Sequence, residues 1–222
     1  MTNFIGPLMQ QSTPSIIADK LRLAIGHGEL KPGAQLSEAD LARKLGVSRG
    51  PLREGMQRLT QEGLLVSIRN RGLFVIEMTP DDVRDMYLAR EAIERAAARK
   101  ILEGDYVAAG DALLDIVEQM TAATTPAEVG ELDIAFHVRL VELADSPRLT
   151  RMHRTFITET RMCIHALEES YSVSEVRGDE HRAVATAIGA GDLKLTDELL
   201  IAHMDDAINR LTVADATDAA GA

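Results

Sequence analysis

Four side chains with metal-ligating chemistry stand in the second half of the chain: Asp133, His137, His181 and His203. Asp133 and His137 are four apart, so in a helix they lie about 40° from one another around the axis and face the same way. Val129, Ile134, Leu140 and Val141 share that face and turn it toward a core. His181 and His203 sit on two later segments among Ala, Ile, Val and Leu. One carboxylate and three imidazoles suit zinc or another divalent transition metal, nickel or manganese among them. A histidine on an apolar face is also often a satisfied core residue, and spacing alone leaves both readings open. Arg90 lies in step with Val83, Met86, Tyr87, Ile93 and Ala97. A guanidinium beside such a stripe needs an anion, and Glu94, four residues on, can supply it. Arg139 and Arg161 are weaker candidates of the same kind, while His27, His153 and His165 have no matching companions and read as structural or solvated.

A second chemistry-bearing group lies in the first half. Over 37–59 the chain reads as a short helix, a tight turn and a second helix that begins with arginines. Ser37 with Asp40 makes a capping-box start, Leu41 and Leu45 face inward, and Gly46 sits where a helix-terminating glycine belongs. Ser48 is a natural N-cap, and Pro51 falls in the first turn, where its missing N–H costs nothing. Arg49 and Arg53 then project one turn apart from the N-terminal end, the geometry of a recognition helix entering a DNA major groove. Both can aim at guanine O6 and N7, while Ser48 and the helix N-terminus suit phosphate. Arg43 and Lys44 on the preceding helix are further phosphate candidates.

The elements that must position these groups follow from the rest of the pattern. Ile17, Leu21, Ala24 and Ile25 share one face of a helix ahead of the pair. Downstream, the β-prone runs 64–68 and 73–76 flank Arg69-Asn-Arg-Gly72, where Asn70 and Gly72 can take the positive φ of a tight connection. Three helices and a hairpin tipped by Arg69, Asn70 and Arg71 make a winged helix-turn-helix over residues 1–78. Thr79-Pro80-Asp81-Asp82 then starts a new unit with an N-cap, a proline and acids in the first turn. Residues 79–222 read as an all-α antiparallel bundle of six or seven helices, at roughly 80–102, 107–123, 126–144, 147–170, 174–189 and 192–212. Residues 102–112 are ambiguous, and both termini look loose. The fold class is therefore mainly α.

Charge separates the two units. Of the 222 residues, 1–78 carry ten Lys/Arg against seven Asp/Glu, and 79–222 carry fourteen against twenty-eight. A mildly basic module is thus tied to a strongly acidic one that DNA repels. The absence of Trp and only 3% aromatic residues argue against a single-strand stacking surface. No run is long enough to span a membrane, no signal pattern opens the chain, and one lone Cys163 suits a reducing cytoplasm.

From Ile25 to Val75 the chain resembles the DNA-binding domain of GntR-type bacterial transcription regulators. The matching pieces are Gly28-x-Leu-x-Pro-Gly33, Leu36-Ser-Glu38, Leu41-Ala42, Leu45-Gly-Val-Ser-Arg49, Pro51-Leu-Arg-Glu54, Arg58-Leu59, Glu62-Gly-Leu64 and Arg71-Gly72. The helical remainder is similar to the FCD effector domain of the FadR subfamily, through Tyr87-x-x-Arg90-x-x-x-Glu94, Asp133-x-x-x-His137, Glu180-His181 and His203. Two positions depart from the pattern: Gly50 replaces a threonine in the recognition turn, and Gly55 replaces a mid-helix alanine, which should cost roughly 1 kcal/mol.

The resemblance implies a ligand-responsive regulator, a repressor by expectation, acting as a homodimer on an inverted-repeat operator of double-stranded DNA. It implies that Asp133, His137, His181 and His203 hold the metal, and that Arg90 clamps the carboxylate of a small organic acid beside it. The alternatives are a regulator for which the metal itself is the signal, and a metal-dependent hydrolase. The second lacks a helical HExxH and a clear general base, so no enzyme is expected.

Overall fold

The computed structural model describes residues 12–166 and 174–218. The expected loose segment 1–11, the end of the helix expected over 147–170 and the last four residues lie outside the described residues. The chain divides between Glu77 and Met78 into two compact units.

The first unit contains α1 (Thr13–Gly26), β1 (Gln35–Leu36), α2 (Glu38–Leu45), α3 (Arg49–Gln61), β2 (Leu65–Ile68) and β3 (Gly72–Val75). Ser37 Oγ accepts from the Asp40 amide at 3.3 Å and starts α2. Gly46, at φ 64°, ends it in the left-handed conformation that favours glycine. Leu41 and Leu45 are half-buried, and the deeper core comes from Ile17, Leu21 and Ile25 of α1 and Leu52, Met56 and Leu59 of α3. A Cβ on Gly55 would stand 2.9 Å from Ile17 Cγ2 and 3.0 Å from the Pro14 carbonyl. Gly55 is therefore where α1 crosses α3, and the backbone freedom it costs is offset by that close approach. The hairpin turns as expected, with Asn70 at φ 62° and Gly72 at φ 104°. A third strand, β1, joins it, giving an antiparallel sheet in the order β1-β3-β2 with Gln35 opposite Phe74 and Leu36 opposite Leu73. Two residues are too few to show an alternating pattern, so only the free edge of β3 defines that strand.

The second unit is built from α4 (Pro80–Ile101), α5 (Tyr106–Ala122), α6 (Pro126–Leu143), α7 (Pro147–Arg154), α8 (Ile157–Ala166), α9 (Ser174–Gly189) and α10 (Leu193–Asp218). A reciprocal cap opens α4: Thr79 Oγ1 accepts from the Asp82 amide at 3.2 Å, and Asp82 accepts from the Thr79 amide at 2.9 Å. Thr125 and Glu128 open α6 the same way. The seventh helix comes from the expected segment 147–170, which breaks at Thr155–Phe156, and not from 102–112. There the Thr155 hydroxyl donates to the Met152 carbonyl at 2.6 Å, and Phe156 N–H bonds three residues back to His153. The hydroxyl competes with the helical ladder, while Phe156 packs against both core clusters of the unit. Helices α5 and α9 touch backbone to backbone, since a Cβ on Gly110 would lie 2.5 Å from Gly189 Cα. Among the described residues no helix is long and apolar enough to cross a membrane.

Candidate metal centre and nucleic-acid interface

Helices α6, α9 and α10 bring Asp133, His137, His181 and His203 together. All four are buried, and one ligand atom from each lies within 4.8 Å of every other. His137 Nε2 is 3.1 Å from His203 Nε2, and His181 Nε2 is 3.2 Å from Asp133 Oδ1.

Two of the rings have their other nitrogen held from outside, and the third faces a carboxylate. His137 Nδ1 donates to Glu94 Oε2 at 2.6 Å. His181 Nδ1 donates to the Arg177 carbonyl at 2.8 Å. His203 Nδ1 faces Glu180 Oε2 at 3.5 Å. The Glu94 carboxylate and the Arg177 carbonyl place a proton on Nδ1 of His137 and His181, and the Nε2 atoms of these two rings stand with that of His203 beside the Asp133 carboxylate.

The charges agree with that picture. Burial pushes the His137 imidazole down to about 4, against the opposing pull of Glu94. Burial likewise lowers His203, opposed by Glu180. For Asp133 burial works upward, but the adjoining His181, His137 and His203 rings outweigh it and hold the carboxyl well below its ordinary range. His181 Nε2 has no hydrogen-bond partner. A lone pair set against a carboxylate oxygen needs either a second proton on the ring or a cation in the centre. The donor set and its orientation thus fit a divalent transition metal.

Around this cage runs a layer that sequence reasoning only partly found. Glu94 is fully buried and also accepts from Arg90 Nε at 3.2 Å, Arg90 Nη2 at 3.1 Å and His153 Nε2 at 3.1 Å. His137 and Arg90 overcome the upward effect of burial and keep Glu94 well below the usual carboxylate value. His153, expected to be structural or solvated, is 1% exposed and belongs to this network. Arg151, an exposed Met152 and Arg154 surround it in sequence, and only the fold of α7 against α4 turns it inward. Arg90 takes the Glu94 partnership, donates to Thr160 Oγ1 at 3.3 Å and lies 4.9 Å from the Tyr87 ring centroid.

Arg90 also lines a small cavity beside the cage, about 10 Å³, room for one water-sized sphere. Arg177 and Arg210 line it too, and the sequence reading missed both. Arg177 precedes His181 by one turn, which was the available signal. Arg161 pairs with Glu131 at 2.7 Å, and exposed Arg139 lies along a different groove, so neither lines this cavity. His27 and His165 are exposed.

In the first unit, Ser48 is the N-cap of α3, with its hydroxyl not spent on the cap. Arg49 and Gly50 open the helix and are exposed, and the space around Gly50 is empty to 4 Å. Arg53, the other expected base reader, donates to Glu38 at 2.7 Å across the turn. Arg43 is exposed and paired with Asp40. On the wing tip Arg69, Asn70 and Arg71 are all exposed. Arg71 lies over Phe74, and its carbonyl accepts from Gln35 Nε2 at 2.5 Å.

A winged helix presenting arginines from the start of its third helix, joined to a helical domain with a buried polar cage, defines a DNA-binding regulator with a separate effector domain. Residues 15–75 match the bacterial regulatory proteins of the gntR family, and residues 85–206 match the FCD domain. The chain belongs to the GntR family of transcription regulators, in its FCD-bearing group. It is 32% identical over 189 residues to an uncharacterized HTH-type transcriptional regulator from an unstable DNA locus of Streptomyces ambofaciens, covering 83% of this chain and 79% of that one. It is 28% identical over 216 residues to a protein of Escherichia coli named for regulation of the L-lactate dehydrogenase operon, covering 85% and 82%. Its fold is similar to that of a GntR transcriptional regulator from Rhodococcus, with a TM-score of 0.79, 29% identity and coverage of 92% and 99%. These relatives are transcription regulators, not hydrolases.

Proposed function

We propose that this regulator is a homodimeric repressor whose hold on an inverted-repeat operator is controlled by a small organic acid bound beside a divalent metal. The observation that carries the reading is the buried cage: three imidazoles and one carboxylate converge within 4.8 Å of one another, with His137 and His181 each held at Nδ1 from outside. Asp133, His137, His181 and His203 would hold the ion, zinc first, with nickel or manganese as alternatives. A bound divalent ion supplies an open coordination position for a carboxylate oxygen. The guanidiniums of Arg90, Arg177 and Arg210 line the adjoining cavity and favour an anion there. The Escherichia coli relative bears the name of an operon for an enzyme of a small hydroxy acid, which supports that ligand class.

On the DNA side, Arg49 reads base edges, and Ser48 and the start of α3 hold phosphate. Gly50 lets the backbone approach, while Arg69, Asn70 and Arg71 follow the neighbouring backbone or minor groove. Arg53 and Arg43 serve after exchanging Glu38 and Asp40 for phosphate or base. One such head makes few contacts, so useful specificity requires two on a two-fold-symmetric site. Control then needs the acid to favour the dimer state whose heads do not fit the half-sites, by a few kcal/mol.

The small size of the cavity favours a second reading, in which the metal alone is the signal. A thermal-shift screen of small carboxylic acids on the full chain, as purified and after chelation, separates the two. A stabilising acid whose effect disappears on chelation supports the leading reading. Stabilisation by metal with no acid response supports the second. No response to either means that the four residues are a polar core.

A further inference from the structure

Behind the candidate metal cage lies a buried carboxylate that joins three helices of the bundle to the side chain of a candidate ligand. Glu94, on α4, is 0% exposed. Its Oε2 receives the Nδ1–H of His137 on α6, while its Oε1 receives Arg90 and the Nε2–H of His153 on α7. Arg90 passes the connection on to Thr160 of α8, whose hydroxyl also donates to the Phe156 carbonyl at the α7–α8 break. One planar group therefore ties the ring of a candidate metal ligand to both short helices that flank the interruption. Its two oxygens move as a unit, so a turn of the His137 ring that draws Oε2 along also displaces Oε1 from His153 and Arg90.

We infer that Glu94 is the positioning residue of the metal centre, and that through His153 and the Arg90–Thr160 bond it couples the orientation of His137 to the placement of α7 and α8. The inference rests on the metal reading above. It assigns a function to the break at Thr155–Phe156: two short helices joined there can shift against the bundle separately, whereas one continuous helix would have to move whole. It also explains why His153 is buried on a helix where Arg151, Met152 and Arg154 around it are exposed. A carboxylate behind a ligating imidazole holds the ring and raises its basicity, and loss of such a partner weakens metal binding by about 10- to 100-fold.

The test uses the full chain and zinc, with affinity read by competition against a chromophoric chelator and amide hydrogen exchange followed over residues 147–166 with and without the ion. Wild type should bind zinc, and zinc should slow exchange over 147–166. Glu94→Gln keeps the shape and removes the carboxylate; its zinc affinity should fall by about 10- to 100-fold, with no slowing of 147–166 at saturating zinc. His153→Leu leaves Glu94 and all four ligands in place. It should bind zinc with near wild-type affinity, yet lose the zinc-dependent slowing over 147–154, a separation that a merely structural histidine would not produce. Should Glu94→Gln not fold, His153→Leu and Thr160→Val carry the test, each expected to lose the slowing on its own helix. Wild-type affinity in Glu94→Gln, or full slowing retained in His153→Leu, overturns the inference alone. A wild type that binds neither zinc, nickel nor manganese overturns the metal reading, and the inference with it.

Discussion

The two units treat arginine in opposite ways. In the winged helix, Arg49, Arg69 and Arg71 are exposed, and the ion pairs of Arg43 and Arg53 are solvated. In the helical unit Arg90 is 1% exposed and committed to Glu94, Thr160 and the Tyr87 ring. Solvated pairs are worth little and exchange readily for a polyanion, which is what a DNA-reading surface requires. A buried pair cannot lose one partner without leaving an uncompensated charge, so it holds a geometry instead. The net charges, +3 for residues 1–78 and −14 for 79–222, follow the same division. One unit keeps its DNA-facing arginines in solvent, and the other fixes Arg90 and Glu94 beside a cage.

That contrast can be broken first at Arg49. Arg49→Ala should weaken operator binding by about 1–3 kcal/mol for each head, nearly abolishing it in a dimer, with oligomeric state and metal content unchanged. An electrophoretic mobility titration with the wild-type operator would measure it, and unchanged affinity would remove Arg49 from the recognition surface.

The helical unit should be as intolerant at its backbone crossing as the head is at its arginine. Gly110→Ala sets a methyl group against the Gly189 backbone, where no side chain can yield, and should cost roughly 3 kcal/mol or more. Thermal melting of the purified variant tests this; a melting point equal to wild type would mean that α5 and α9 do not cross so closely.

Acid should separate the units further. An unfolded imidazole titrates near 6.5, whereas burial holds His137 at about 4 and lowers His203 in the same direction. Between those values the unfolded chain binds more protons, so the metal-free protein should lose stability as pH falls from 6.5 toward 4 and regain it above. Denaturant midpoints taken in chelator across that window would report the slope, and a flat profile would mean the rings are already charged in the fold.

Smaller effects distinguish the two glycines of α3. Helix propensity alone says Gly55→Ala stabilises by about 1 kcal/mol. The contact with Ile17 and the Pro14 carbonyl says the reverse, a loss of about 1–2 kcal/mol visible in the melt. Gly50→Thr meets open space, so stability should move by less than about 0.5 kcal/mol. Any change in operator affinity would then report contact with DNA and not altered folding.

How much of this was legible beforehand varied from element to element. Gly46, Asn70, Gly72 and Thr79 do what their residue types imply, because each acts within three or four residues of itself. Ser37 caps α2 without the reciprocal bond of a capping box, since the Asp40 carboxylate turns to Arg43, and the Ser48 hydroxyl makes no cap bond. The spacing of Asp133 and His137 put them on one face of one helix for the same reason. The sequence reading treated Gly55 as a cost because its benefit lies on another helix. It took His153 for structural or solvated because its partner is 59 residues away.

The amino-acid sequence by itself determined the winged helix, its basic tip, the helical character of the rest and the placing of Asp133 and His137 on one helix face. Local hydrogen bonding and hydrophobic periodicity suffice for each of these. Only the tertiary structure decided that α6, α9 and α10 bring the three imidazoles to one point. It alone made Glu94 the common acceptor of His137, His153 and Arg90, broke the helix at Thr155 and added the third strand. Those outcomes depend on which buried groups find one another across long stretches of chain, and a buried polar atom accepts whichever partner packing brings within reach.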